Sequence, residues 1–137
     1  MPVGLTKDAG WEIGVSRTLP YPLDDVRALL TSADGVQLWL GDAMTLPTTV
    51  GAPYEAADGA TGELRGYESR RRIRLTHRPR ESRNETTIQA TLEPKAAGTT
   101  LRFHQERMRS PKERERQRAH WKRVVDELDD ALSGRRA

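Results

Sequence analysis

The sequence predicts an α+β fold in which a curved antiparallel β-sheet packs against one long C-terminal helix. Three observations support this fold class. An alternating, strand-like segment comes first and is followed by two short helical segments. Further strand-like segments then extend from residue 44 to residue 108. The last segment, residues 111–134, carries apolar residues at helical spacing, which predicts a helix that buries one face.

The first strand is predicted over residues 11–19, WEIGVSRTL, where Ile13 and Val15 lie on one face between polar residues and glycine. The period changes in PYPLDDVRALLT, residues 20–31, where a proline, two early aspartates and an apolar stripe indicate a helix. A second short helix is predicted over residues 35–40, ending at a glycine. These elements complete the N-terminal third of the chain.

Alternation returns after residue 44 and predicts a series of antiparallel strands separated by turn sequences. In the last of these strands, Gln105 lies on the same face as the apolar residues, whereas His104 lies on the opposite face. His77 also shares a face with apolar neighbours. The segments MTL and PYEAA give the weakest strand signals. The predicted strands are MTL, PYEAA, GELRGYE, RRIRLTHR, TTIQATLEP and TTLRFHQERM.

The final helix begins at Pro111, with Ser110 as its N-cap, and is predicted to end at Gly134. Burying each aliphatic side chain of its apolar stripe contributes about 1.5–3 kcal/mol, which favours packing on the sheet. Glutamates alternate with the arginines of its first half, so that pairs such as Glu115–Arg118 neutralise them. The apolar stripe consists of Trp121, Val124, Val125, Leu128 and Leu132.

Composition limits the class of protein. The chain has 137 residues, 23 basic and 20 acidic, with a net charge of +3, and it contains no cysteine. Disulfides, thiolate metal sites and cysteine nucleophiles are therefore excluded. We find no apolar run that predicts a transmembrane helix or a signal peptide, and expect a cytoplasmic protein with no membrane partner. One domain is expected over residues 11–134, after a flexible N-terminus at 1–10 and before a tail at 135–137.

Basic residues concentrate in the middle of the chain, and a solvated surface is the expected interpretation. An acidic protein or a nucleic acid is the alternative partner. Nucleic acid is disfavoured because few aromatic residues accompany the arginines, and its binding would weaken steeply with salt. The cluster comprises Arg65, Arg70, Arg71, Arg72, Arg74, Arg78, Arg80 and Arg83.

The sequence offers few groups for catalysis. The histidines at 77, 104 and 120 lack the spacing of metal ligands, so neither a metal site nor a cofactor is predicted. No serine lies in a nucleophile elbow. Glu106 points outward and is expected to pair with an arginine. Only His77 could act as an inward-facing acid or base.

Four stretches, in this order and spacing, resemble the START-like (SRPBCC) superfamily of helix-grip domains. Within it the chain is similar to bacterial single-domain members of the family of homologues of the activator of the heat-shock-protein-90 ATPase. The resemblance covers most of residues 11–132 and implies a sheet wrapped around the last helix. The stretches are VSRTLPYPLDDVRALLTSADGVQLWLG, GELRGYESRRRIRLTHRP, GTTLRFHQERM and RERQRAHWKRVVDELDDAL.

The resemblance also implies a cavity between helix and sheet for a small apolar or amphipathic ligand. The function expected is non-enzymatic binding of such a ligand or of a protein partner, in a chaperone- or stress-related accessory role; the alternative is a polyketide cyclase-like or hydrolase-like enzyme using the same cavity. The eukaryotic activator relies on a second domain, so its own chaperone activity is not carried over. Neither the ligand nor the oligomeric state is predicted. The inward positions expected to line the cavity are Trp39, Leu64, Leu75, His77, Gln105, Trp121 and Val125.

Overall fold

The computed structural model describes residues 4–6, 10–42, 44–68 and 70–136. Within these ranges the chain follows the predicted order of one main strand, two short helices, a series of strands and a long helix. Parts of the predicted terminal segments, residues 1–3, 7–9 and 137, lie outside the described residues. The elements are β1 (Leu5–Thr6), β2 (Gly10–Leu19), α1 (Leu23–Thr31), α2 (Ala33–Trp39), β3 (Pro53–Glu55), β4 (Thr61–Glu68), β5 (Arg72–His77), β6 (Thr86–Lys95), β7 (Gly98–Met108) and α3 (Pro111–Arg136).

The strands form one antiparallel sheet in the order β1-β2-β7-β6-β5-β4-β3. Each of the strands β3 to β6 pairs with the strand that follows it in the chain, whereas β2 pairs with the distant β7. Helix α3 packs against β2 and β7 and contacts α1 and α2. The predicted fold class, a curved sheet wrapped around a C-terminal helix, is confirmed.

Two irregularities bend the sheet. Between β2 and β7 the register shifts, because Trp11 pairs with Met108 while Ile13 pairs with Gln105. Strand β7 therefore has an extra residue there, and Arg107 adopts a left-handed backbone with φ of 71°. A second shift lies between β4 and β5. Bulges of this kind increase strand bending and twist, which helps the sheet curve around α3.

Aromatic side chains fill the space between the middle of α3 and the sheet. Phe103 stacks on Trp121 with ring centroids 4.4 Å apart, and its ring lies 5.7 Å from that of Trp39. The predicted apolar stripe of α3 is buried throughout, including Leu128 and Leu132. The core under the central part of the helix is therefore packed with side chains.

Some of the elements differ from the predictions. The segment MTL is a loop, although Met44 and Leu46 are buried. Helix α2 begins two residues early because the hydroxyl of Ser32 accepts a hydrogen bond from the backbone N–H of Gly35. Helix α3 continues past Gly134, which does not take the left-handed conformation that ends helices. No helix in the described part of the chain is long and apolar enough to cross a membrane.

Candidate ligand-binding site

Two adjacent clefts open near the first half of α3. The first, of about 400 Å³, lies between α3, the end of β7 and the loop that joins β5 to β6. The second, of about 250 Å³, lies between α3 and the end of α2. Both clefts are lined by His77 and Gln117, so these two residues stand where the clefts meet.

The residues predicted to line a cavity divide into two groups. Leu64, Leu75 and Val125 are buried in the core and line neither cleft. His77 and Gln105 line the first cleft, and His77 also lines the second with two tryptophans. The four predicted residues that the clefts bring together are Trp39, His77, Gln105 and Trp121.

Gln105 is the centre of a hydrogen-bond network at the inner end of the first cleft. Its side chain is buried, with the residue 2% exposed. Its Nε2 donates to Oγ1 of Thr86 across 2.9 Å. Its Oε1 accepts from Nε2 of Gln117 across 2.8 Å and from Nε1 of Trp121 across 2.9 Å. The buried amide is thus satisfied by protein partners, as buried polar groups require.

His77 contacts a tyrosine that was not among the predicted site residues. The hydroxyl of Tyr54 donates to the backbone carbonyl of Thr76 across 2.5 Å, and its oxygen lies 3.2 Å from Nδ1 of His77. A tyrosine hydroxyl has a single hydrogen to donate. Since that hydrogen points to Thr76, Nδ1 of His77 carries a proton and donates to the Tyr54 oxygen.

Burial keeps the histidines of the clefts neutral. Desolvation lowers the pKa of His77 below its ordinary value of 6.5, and the nearby carboxylate of Asp58 opposes this only in part. Desolvation also lowers the pKa of His120, helped by Arg123 and His77. The backbone carbonyl of Trp39 accepts a hydrogen bond from His120, which acts in the opposite direction. Burial likewise raises the pKa of Tyr54, which therefore keeps its proton.

Gly62 makes room for Tyr54. The two residues are cross-strand partners in β3 and β4. A Cβ at Gly62 would lie 2.0 Å from the carbonyl oxygen of Thr76 and 2.4 Å from Cε2 of Tyr54. The glycine therefore allows the tyrosine ring to lie flat across the strand and reach His77. The pairing of an aromatic residue with a strand glycine is the sequence signal that could have identified Tyr54.

Gln117 was also missed, although its position gave a usable signal. It lies one helical turn before Trp121, so it shares the buried face of α3. The many arginines around it predict a solvated surface for this part of the helix. The structure instead places Gln117 against Gln105, at the junction of the clefts.

Carboxylates outnumber basic groups around the clefts. Glu81 and Glu113 line the first cleft together with Arg116, and Asp58 lines the second. His77 and His120, with their lowered pKa values, add no positive charge at neutral pH. The electrostatic environment of the clefts is therefore mildly negative.

The outer face of the sheet carries ion pairs. Glu106 pairs with Arg74 across 2.7 Å, which confirms the predicted surface salt bridge. In the described ranges, one group of three potential metal ligands comes together there, formed by Glu12, His104 and Glu106. Its members come from two strands, so sequence spacing gives no sign of it. The Arg74 guanidinium already neutralises one of its two carboxylates.

Most of the central arginines have acidic partners. Arg70 pairs with Asp24, and Arg72 pairs with Glu68. On α3, the predicted Glu115–Arg118 pair is present at 4.0 Å. These pairs agree with a solvated, internally balanced surface. They also reduce the net positive charge that a phosphate backbone would meet.

Comparison with known families gives a match over residues 20–133 to the family described as activator of Hsp90 ATPase homolog 1-like protein. No curated protein matches the sequence. CalU16 from Micromonospora echinospora is similar in structure, with a TM-score of 0.78, 19% identity and coverage of 93% of this chain and 81% of CalU16.

Two further solved structures are similar. DynU16, a protein from the dynemicin biosynthetic locus, gives a TM-score of 0.77 and 25% identity over 89% of this chain. The match spans 47% of DynU16, so this chain corresponds to about half of it. The Aha1 dimer from Colwellia psychrerythraea gives a TM-score of 0.73 and 17% identity, covering 88% of this chain and 95% of that one.

Proposed function

The chain belongs to the activator of Hsp90 ATPase homolog 1-like family, and from this premise we propose that it is a non-enzymatic domain that binds a small amphipathic molecule. The ligand occupies the two adjoining clefts at the first half of α3. The observation that carries the proposal is that both clefts are lined by the same two residues, His77 and Gln117. One elongated molecule can therefore extend from one cleft into the other.

Both clefts combine polar and apolar surface, as the binding of an amphipathic molecule requires. Polar residues that include Ser82, Asn84 and Thr86 line the first cleft, and the carbon atoms of its lining residues add apolar surface. Polar groups also line the second cleft, where the half-buried Leu38 adds apolar surface. Small-molecule sites typically combine apolar walls with a few polar groups that orient the ligand.

This position differs from a cavity under the middle of the helix. There the stacked rings of Phe103 and Trp121 leave the helix packed directly on the sheet. Leu64, Leu75 and Val125 accordingly belong to the core that supports the site, and the proposed ligand contacts are made around His77. The clefts lie where the packed aromatic core ends.

The similarity to DynU16 supports a small-molecule role. That protein comes from a locus for dynemicin biosynthesis, and this chain shares 25% identity with the half of it that matches. A ligand-binding domain of the same fold is compatible with such a setting. The fold alone does not specify the ligand, so the chemistry of the clefts has to define it.

An enzyme of the cyclase or hydrolase kind is the second candidate, and the Tyr54–His77 contact is the observation that favours it. A neutral imidazole fixed through Nδ1 leaves Nε2 able to accept a proton from a bound substrate. A His77→Ala variant tests this candidate. Turnover of a cleft ligand that survives the substitution would argue against catalysis by His77.

Native mass spectrometry tests the binding proposal directly. The protein purified from its own host is compared before and after denaturation, together with two tryptophan variants. Gln117→Trp fills the junction of the clefts, whereas Thr91→Trp adds the same bulk on the outer face of the sheet. We expect a co-purifying small molecule with the wild type and Thr91→Trp, and none with Gln117→Trp.

Two results would contradict the proposal. A ligand retained by Gln117→Trp would place binding elsewhere on the protein. A wild-type protein that carries no small molecule and captures none from a host extract would favour a protein partner instead.

A further inference from the structure

We propose that the ligand is an uncharged molecule with a hydroxyl group on an apolar body, and that it donates hydrogen bonds to Nε2 of His77 and Oε1 of Gln117. This inference rests on the proposed function and specifies the chemical class of the ligand. It follows from the way in which the hydrogen-bond network fixes the protons and lone pairs of the two residues shared by the clefts.

The hydrogen bonds of Gln105 fix the orientation of the Gln117 amide. An indole N–H can only donate, so the atom of Gln105 that contacts Nε1 of Trp121 must be the amide oxygen. The same oxygen contacts the side chain of Gln117 across 2.8 Å, so Gln117 must donate to it with Nε2. The amide oxygen of Gln117 is then the atom left for a ligand. Trp121 therefore determines the polarity of Gln117 through Gln105.

The contact with Tyr54 determines which ring nitrogen of His77 carries the proton. The Tyr54 hydroxyl uses its hydrogen on the carbonyl of Thr76, so Nδ1 of His77 is the protonated ring nitrogen. In a neutral imidazole the other nitrogen, Nε2, then carries a lone pair. Since His77 lines both clefts, this lone pair is the polar group that it offers to a bound molecule.

Carboxylates predominate among the charged groups around His77. The titratable groups facing His77 are Tyr54 from β3, Asp58 from the β3–β4 loop, and His120 from α3. Glu81, Glu113 and Arg116 line the first cleft beside it. Arg123 acts on His120 at the second cleft, so the balance is three carboxylates against two guanidinium groups, which opposes a carboxylate or phosphate group on the ligand.

The second cleft includes apolar residues in its lining. The indole N–H groups of Trp39 and Trp121 already donate to the carbonyl of Leu30 and to Gln105, so neither is left for a ligand. The two tryptophans are almost fully buried, so the half-buried Leu38 supplies the accessible apolar surface of the second cleft. Together, two acceptors, an excess of carboxylates and an apolar side chain fit an uncharged molecule that carries a hydroxyl group on an apolar body.

Calorimetric titration with three matched two-ring probes tests the inference: 2-naphthol, 2-methoxynaphthalene and 2-naphthoate at pH 7.5. We expect 2-naphthol to bind about tenfold more tightly than 2-methoxynaphthalene, the effect of one good hydrogen bond. The anionic 2-naphthoate is expected to bind at least as weakly as the methyl ether. His77→Phe should reduce 2-naphthol binding to the level of the ether, while His77→Gln, which retains an acceptor, restores part of the difference.

Binding of 2-methoxynaphthalene reports whether each variant retains a folded cleft, and His104→Phe, on the outer face, provides a matched control. Equal affinities for 2-naphthol and its methyl ether, unchanged in His77→Phe, would overturn the hydroxyl inference and leave the proposed function intact. Tighter binding of 2-naphthoate would overturn the assignment of charge. Absence of binding by all three probes at millimolar concentration would overturn the proposed function, and this inference with it.

Discussion

The indole Nε1 of Trp121 donates to Oε1 of Gln105 across 2.9 Å, inside the core between the long helix and the last strand. A buried indole N–H needs an acceptor, and the side-chain oxygen of Gln105 supplies it. The side-chain nitrogen of Gln105 in turn donates to the hydroxyl of Thr86. The same oxygen also accepts a hydrogen bond from Nε2 of Gln117, which lines both clefts. The amide of Gln105 therefore belongs both to the packed core and to the hydrogen-bond network of the clefts. The packing of the core and the polarity of the clefts therefore depend on one buried amide.

Replacing Gln105 with leucine is expected to lower the free energy of unfolding by about 1–3 kcal/mol, because the buried N–H of Trp121 loses its acceptor. The measurement is denaturation in urea, followed by far-ultraviolet circular dichroism. Gln89→Leu is the matched control, since Gln89 lies on the adjacent strand β6 and is only half-buried. Equal losses for the two variants would show that the network does not stabilise the core.

A methyl group at Gly62 should distort the support of His77. The Cβ would meet the Thr76 carbonyl at 2.0 Å and the Tyr54 ring at 2.4 Å, so Gly62→Ala is expected to cost about 2–3 kcal/mol. Gly66→Ala in the same strand is the control, because its nearest neighbour would be Cβ of Arg74 at an ordinary 3.6 Å. Thermal denaturation compares the two, and a similar melting temperature for both would refute the prediction.

The long elements could be predicted from sequence because their periodicity reflects burial on one face. Strands β2, β5, β6 and β7 and the apolar stripe of α3 all follow this rule, and their order is confirmed. The loop at Met44–Leu46 was mistaken for a strand because buried residues alternate there without a pairing partner. Alternation of apolar and polar residues indicates that one face is buried, whereas a strand also requires a neighbouring strand with which to pair.

The candidate site was less predictable than the fold. His77 and Gln105 were selected because they lie among apolar residues on inward-facing positions. Tyr54 and Gln117 were missed because their roles depend on contacts between elements far apart in the chain, such as the 3.2 Å contact of Tyr54 with His77. The pattern within a single element does not contain this information.

The aromatic stack should contribute measurably to stability. Phe103→Ala removes the ring that stacks on Trp121 at 4.4 Å and leaves a cavity in a packed core, with an expected loss of about 3–5 kcal/mol. Phe103→Leu fills most of the space without an aromatic face, and a loss of about 1 kcal/mol is expected. Urea denaturation measures both. A loss for the alanine variant no greater than for the leucine variant would mean that the site is less tightly packed than the structure indicates.

Stability should also depend on pH near the histidine range. The folded-state pKa values of His77 and His120 lie below the ordinary 6.5, so the unfolded chain binds protons first as the pH falls. Their contribution is fully present above pH 6.5 and decreases as the pH approaches the folded-state values. The free energy of unfolding is therefore expected to fall as the pH is lowered from 7 to below 6.5, as measured by urea denaturation at each pH.

The double variant His77→Gln, His120→Gln should flatten this pH dependence. Gln117→Ala alters the same clefts but retains both histidines, so it should keep the wild-type slope. A double variant with an unchanged slope would assign the effect to other groups.

The pairing of β2 with β7 has a consequence for how the chain folds. Leu19 pairs with Thr99, which lies eighty positions further along the chain, whereas the strands from β4 to β7 are joined by connections of two to eight residues. Closing so long a loop is slow compared with forming hairpins. We expect the β4–β7 meander to form early and β2 to dock late. During synthesis on the ribosome, β2 would then remain without its partner until β7 has emerged.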